Sequence, residues 1–178
     1  FKEKFYAPGN VDCAINWTPS RDGFIQSYCN TVPTPEGGTH EMGFWAAILK
    51  GIRSYGERVS NKKAAQITRE DLIIGGCALV SCFIREPEFV GQTKDRLATT
   101  EAARLVEGAV RDHFDTWLAS DTKSAGAILD FLVLRAEERL RRRQEKETAR
   151  KTATKKLRLP GKLVDCSATN RDGTELFI

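Results

Sequence analysis

FIQSYCNTVPTPEGGTHEMGFWAAILKGIRSYGERV, running from Phe24 to Val59, carries the decisive change of period in this 178-residue chain. Its first part, Phe24 to Val32, is rich in β-branched and aromatic residues and reads as a strand. Pro33-Thr34-Pro35-Glu36-Gly37-Gly38 breaks that pattern, because proline removes a backbone donor and glycine frees the dihedrals. Behind Thr39 the apolar positions Trp45, Ile48, Leu49, Ile52, Tyr55 and Val59 recur at helical spacing, so one amphipathic helix is predicted.

Upstream, Val11 to Trp17 has the same strand composition, and Thr18-Pro19-Ser20-Arg21-Asp22-Gly23 is turn chemistry, so the two strands are expected to pair as a hairpin. Downstream, Lys62-Lys63-Ala64-Ala65-Gln66 reads as loop. Thr68-Arg69-Glu70-Asp71 reads as the capped, acidic start of a short helix that Gly75-Gly76 ends. Cys77 to Ile84 is apolar on both alternating faces, as a central strand covered on each side would be. Glu86 to Leu97 has no period and reads as a long loop, the kind of segment that carries function. A second helix opens near Thr99 or Thr100 with the stripe Ala102, Leu105, Val106, Ala109, Val110, His113, Phe114 and Trp117. A third, over about 122–157, carries Ile128, Leu129, Leu132, Val133, Ala136 and Leu140, then loses its apolar stripe and is expected to project from the core. Pro160-Gly161 stops it, and Leu163 to Cys166 opens another unit. Strands and helices that do not alternate strictly give an α+β fold, a small mixed β-sheet backed by helices.

The composition, 40% hydrophobic and 29% charged, excludes a disordered tail and a fibre, and no apolar stretch approaches the ~18 residues of a membrane helix. The chain starts at Phe1, has Met42 as its only methionine and stops at Ile178 within a strand-like stretch, so an excised piece of a longer protein, or one with its start removed, is expected. Five cysteines without a C-x-x-C pair read as reduced structural thiols of a cytosolic protein rather than a disulfide framework or zinc site. The net charge of +4 is uneven: Arg135 to Arg158 holds eleven Lys and Arg against four Glu, leaving an excess of three acids elsewhere. Such a segment either follows a nucleic-acid backbone by counterion release or is the solvated face of a long helix.

Among candidate functional residues, Lys94 is a mobile point charge at a loop tip, able to meet a phosphate from another domain, and Gln92 could donate to the same group. On residues alone an ordinary solvated loop remains the alternative. Gly37-Gly38-Thr39 could set backbone N–H groups around an anion or simply turn the chain into its helix; it is no Walker motif. His40 could act as a base in principle, but no nucleophile lies beside it in the sequence. His113 reads as a packed imidazole, and Trp17, Trp45 and Trp117 read as core.

Three strings now matter together: Ser27-Tyr28-Cys29-Asn30-Thr31-Val32-Pro33-Thr34-Pro35-Glu36-Gly37-Gly38-Thr39-His40-Glu41, Gly91-Gln92-Thr93-Lys94-Asp95-Arg96-Leu97 and Leu159-Pro160-Gly161-Lys162-Leu163-Val164-Asp165-Cys166. In order and spacing they resemble the bacterial type IIA topoisomerase ATPase subunits from about Asp22 onward. The Asn-Thr-Val-Pro-Thr-Pro wording is nearer the topoisomerase IV branch of these B-type subunits than the gyrase branch.

The resemblance implies a transducer domain over 1–158 and the truncated start of a metal-binding TOPRIM domain over 159–178. It implies a left-handed βαβ crossover, against the usual handedness. It gives Lys94 the catalytic role of contacting the γ-phosphate of ATP held by a preceding domain, with Gln92 assisting, so that nucleotide state is relayed to a DNA gate during double-strand passage. Lys50 and Arg53 remain as DNA-contact candidates, since Trp45 stands at one position where the family has a basic residue. The implied cofactors are ATP and Mg2+ in the intact protein, with none bound by this segment alone. The implied partners are DNA, the topoisomerase A-type subunit and a second B-type subunit in a homodimer, in the cytoplasm and without a membrane. The family's nucleotide-binding asparagine and water-activating glutamate lie upstream, its metal-binding acids downstream and its cleaving tyrosine on the A-type subunit, so the segment alone is expected to be inert. The alternative is a non-enzymatic nucleic-acid-binding module that uses the basic helix.

Overall fold

The computed structural model describes residues 11–19 and 22–155, with side chains as far as residue 150. β1 (Val11–Trp17) and β2 (Phe24–Cys29) both form, but they do not pair with each other. β4 (Gly76–Cys82) lies between them, antiparallel to β1 from Val11↔Cys82 to Trp17↔Gly76 and parallel to β2 from Phe24↔Cys77 to Cys29↔Cys82. The expected hairpin is therefore wrong. The turn residues after Trp17 specify a change of direction but not a neighbour. The start of β4 enters the gap: Thr18 N donates to Gly75 O at 2.8 Å, and a Cβ on Gly23 would lie 2.4 Å from Gly76 O.

The strand reading for Phe24 to Val32 is also interrupted. Asn30 and Thr31 take positive φ values of 50° and 67°, and the chain folds back into β3 (Val32–Pro33), completing the order β1-β4-β2-β3. Asparagine tolerates this left-handed conformation; a β-branched threonine does so rarely, so the turn is held by its surroundings. β4 is central as predicted, yet only one of its faces is fully covered. Ala78, Val80 and Cys82 are buried, whereas Leu79 on the opposite face is 40% exposed beside exposed Ala14 of β1. That alternation is the mark of a sheet with helices on one side.

The predicted first helix is α1 (Thr39–Arg58), which with α2 (Arg69–Ile73) connects the adjacent parallel strands β2 and β4. The Asp71 carboxylate accepts from Thr68 N and Oγ1 at 2.8 and 2.9 Å, the capped acidic start that the sequence announced. Lys62–Gln66 is a 3₁₀ turn rather than loop, started by Asn61 Oδ1 accepting from Lys63 N at 3.1 Å. Glu86 to Leu97 is not structureless: it contains the two-residue strands β5 (Phe89–Val90) and β6 (Arg96–Leu97), paired antiparallel.

α3 (Thr100–Ser120) buries Ala102, Val106, Val110, Phe114 and Leu118, a stripe of four-residue spacing narrower than the one predicted. His113 and Trp117 therefore fall on its flank. His113 is exposed and Trp117 is 36% exposed, stacked on Phe114 at 5.8 Å, so neither is core; Trp17 is half-buried and only Trp45 is fully enclosed. α4 (Thr122–Lys155) matches the third predicted helix. Ala125, Leu129, Leu132, Val133 and Ala136 join Phe44, Ile48, Ile52 and Val80 in one core, each large side chain contributing roughly 1.5–3 kcal/mol by leaving water.

Two compact units divide within α4, at Glu137/Glu138. In the described part of the second unit residues 141–150 are all exposed, and Arg141 pairs with Glu145 at 3.6 Å, which suits a solvated helix face. The expected boundary at 158 and the segment 159–178, Cys166 included, lie outside the described residues.

Candidate functional site

β5 and β6 form the base of a short ribbon through the pairs Phe89↔Leu97 and Val90↔Arg96, and Gly91 to Asp95 is its tip. Gly91 at φ +73° and Lys94 at φ +60° both take left-handed backbone there. For a lysine that conformation is uncommon and marks a loop held in one shape from its base.

The base is held by the breaker that precedes α1. Glu36 N donates to Asp95 O at 3.0 Å, Leu97 N donates to Gly37 O at 3.1 Å, and Gly38 bridges Leu97 in parallel. Thr39 Oγ1 donates to Thr99 O at 2.6 Å, while Glu88 N donates to Thr99 Oγ1 at 2.8 Å. Leu97 itself is buried. The loop root and the first turn of α1 are thus one hydrogen-bonded unit, whereas Gly91 to Lys94 are exposed. The Lys94 ammonium sits 5.9 Å from the centroid of the Phe89 ring, a cation–π contact that leaves the amine in water. Gln92 lies on the same exposed tip.

Gly37-Gly38-Thr39 does not make an anion cradle. A Cβ on Gly37 would stand 2.2 Å from Glu41 Oε2, so a carboxylate already lies over the turn, and Arg69 pairs with it at 3.5 Å. Glu41 complements the positive end of α1 and would repel a second anion.

His40 is fully buried, with Nε2 3.2 Å from Thr34 Oγ1, which is linked in turn to Ser27. Among the described residues its Nδ1 has no partner, and burial lowers its pKa from 6.5 to about 4. It is a neutral structural imidazole, not an exposed base. Because the unfolded chain takes up a proton near pH 6.5 that the native chain refuses until about 4, stability present above pH 6.5 is lost as pH falls through that window. About 2 kcal/mol is expected to disappear between pH 7 and pH 5. Guanidinium unfolding at both pH values, compared with His40→Gln, checks it; equal pH dependence in the variant would exclude His40 as the source.

The two DNA-contact candidates are both engaged. Lys50 forms an ion pair with Glu107 of α3, its side chain still 56% exposed, and Arg53 donates through Nε to Ile67 O at 3.1 Å and through a second guanidinium nitrogen to the same carbonyl. Trp45 is buried in the core at 1% exposure. The sequence singled out Gly38 as part of a candidate anion turn, Leu97 within the loop string and Thr99 near a helix start, but nothing in it showed that the three meet to fix the loop. Among the described residues no group of three His, Cys, Asp or Glu side chains could hold a metal ion, and no helix is long and apolar enough to cross a membrane.

A family model described as DNA gyrase B matches residues 2–148. The chain belongs to the DNA gyrase B family. Over 174 residues this family member is 55% identical to the B-type subunit of DNA topoisomerase 4 from Caulobacter vibrioides, a match covering 96% of the chain and 25% of that relative. To the corresponding subunit of DNA gyrase from Micrococcus luteus it is 34% identical over 171 residues, 94% of the chain and 24% of the relative. It thus stands nearer relatives of the topoisomerase 4 name than of the gyrase name, and spans about a quarter of their length. Its fold matches the topoisomerase IV ATP-binding domain of Francisella tularensis, solved with a small-molecule inhibitor, at a TM-score of 0.68 and 29% identity, over 76% of this chain and 38% of that one.

Proposed function

We propose that this chain is the transducer segment of the B-type subunit of an ATP-dependent type IIA topoisomerase, an isomerase of DNA topology, and that its Gln92-Thr93-Lys94 loop senses the terminal phosphoryl of ATP bound by a preceding domain. The observation that carries the reading is the loop's construction. Its root is hydrogen-bonded to the first turn of α1, and its tip offers an exposed ammonium with no acid paired to it among the described residues. A cation on a mechanically fixed root is suited to reporting an anion elsewhere, because any displacement of Lys94 is transmitted through Asp95 and Leu97 to Glu36, Gly37 and the helix behind them.

ATP supplies the negative charge at its terminal phosphoryl, with Mg2+ held by parts of the protein other than this segment. Lys94 binds and orients that phosphoryl oxygen, Gln92 donates a second hydrogen bond, and the α1 unit shifts when these contacts are lost. DNA, an A-type subunit and a second B-type subunit are the partners this reading requires, with the segment working in the cytoplasm. The 1–158 and 159–178 division follows from the same reading. A structure of the full-length protein with a non-hydrolysable ATP analogue tests it: the Lys94 amine should lie within hydrogen-bond reach of the terminal phosphoryl. An amine turned to bulk solvent in that complex would defeat the proposal.

A further inference from the structure

Cys29 and Cys82 occupy the last rung between the parallel strands β2 and β4, where they are register partners. Both are fully buried on the covered face of the sheet, and both are free thiols. In-register neighbours on adjacent strands lie about 5 Å apart at Cα, within the ~4.4–6.8 Å span a disulfide bridges. The end of this rung is tightly fixed: Asn30 N donates to Cys82 O at 2.9 Å, Asn30 Nδ2 donates to Ile84 O at 2.7 Å, and Ile84 N returns a bond to Asn30 Oδ1 at 2.9 Å. Each thiol shifts the other: the neighbouring Cys82 side chain lowers the pKa of Cys29, while Cys29 and burial together raise that of Cys82, so Cys29 is the more readily ionised of the two.

We propose that Cys29 and Cys82 form a dithiol oxidation site, closed to an intramolecular disulfide by hydrogen peroxide. The Cys29 sulfur attacks the peroxide oxygen, giving a sulfenic acid and one water. The Cys82 sulfur then attacks the Cys29 sulfur, and its proton leaves with the hydroxyl as a second water. The two electrons lost by the thiols reduce the peroxide. The site is selective for a water-sized oxidant, since neither sulfur is exposed and a larger reagent would need the sheet end held by Asn30 to open. The half-exposed Cys77 lies on the opposite face of β4, and Cys13 lies on the edge strand β1, so neither competes by geometry. Closing the bond ties the strand that leads into α1 to the strand that leads into the Gln92-Thr93-Lys94 loop. The inference stands apart from the topoisomerase reading, and its test does not use activity.

The chain is treated with hydrogen peroxide under native conditions, alkylated, digested and mapped by tandem mass spectrometry, which separates Cys77 from Cys82 within their shared tryptic peptide. A Cys29–Cys82 link lighter by two hydrogens is expected, together with a melting temperature raised by about 5 °C or more and restored by dithiothreitol. A bulky aromatic disulfide reagent should leave both sulfurs unreacted. Cys82→Val should lose the link and the thermal shift. Oxidation confined to Cys13, a link from Cys29 to any other cysteine, or a Cys29–Cys82 link seen only in denaturant would each overturn the proposal; the mapping of the unaltered chain decides this even if the variant folds poorly.

Discussion

Lys94→Ala in the full-length protein is expected to lower ATP turnover on the order of 100-fold while changing nucleotide affinity far less. A preorganised cation aimed at a phosphoryl group stabilises charge that redistributes in the transition state, so its loss falls mainly on the chemical step. The substitution is structurally quiet. Alanine keeps a Cβ and therefore the same left-handed backbone cost at φ +60°, and the side chain it removes is exposed, its ammonium 5.9 Å from the centroid of the Phe89 ring. Melting should move by less than ~0.5 kcal/mol equivalent. Lys94→Arg should recover part of the rate, because charge is retained while a planar fork replaces a point charge. Steady-state ATPase assays beside equilibrium nucleotide binding decide the matter: turnover left at the wild-type level would remove Lys94 from the reaction.

Gly38→Ala is the complementary case, expected to fail through structure. Gly38 sits at φ +143°, ψ −161°, a region open in practice only to glycine. A Cβ there would lie 2.4 Å from Leu97 O, 2.7 Å from Leu97 N and 2.8 Å from Leu97 Cβ. Backbone atoms cannot swing aside as a side-chain end can, so the strand carrying the loop must move away from α1. Strain and overpacking together should cost about 3 kcal/mol, a fall in melting temperature of ~10 °C. Gly91→Ala is the internal comparison. It also has positive φ, +73°, but a Cβ there would meet nothing nearer than Thr93 Oγ1 at 4.0 Å, so only the conformational strain of about 1 kcal/mol applies. Thermal melts of the two variants should therefore separate clearly, and equal melting would show that the Gly38–Leu97 approach does not constrain the fold.

Lys94 and Gly38 also divide the site by what could be read in advance. The Gln92-Thr93-Lys94 tip is legible through its resemblance to a family string, because three exposed polar residues have no periodicity to betray them. The contact at its root is not legible that way, although both partners lie in such strings. Gly38 meets Leu97 across nearly sixty positions of chain, and nothing local to either residue announces the other.

The helices are written into short windows of the chain. The spacing of Trp45, Ile48 and Ile52, the Thr68–Asp71 cap and the stripe from Ala102 to Phe114 express interactions between residues no more than about four apart, which any such window contains. Long-range packing alone settles that β4 separates β1 from β2, that His113 and Trp117 lie outside a stripe repeating every four residues, and that Cys29 meets Cys82. A strand's composition states that one face must be buried, but which neighbour accepts its hydrogen bonds depends on the packing of the entire sheet against the helices, a competition no local segment can express.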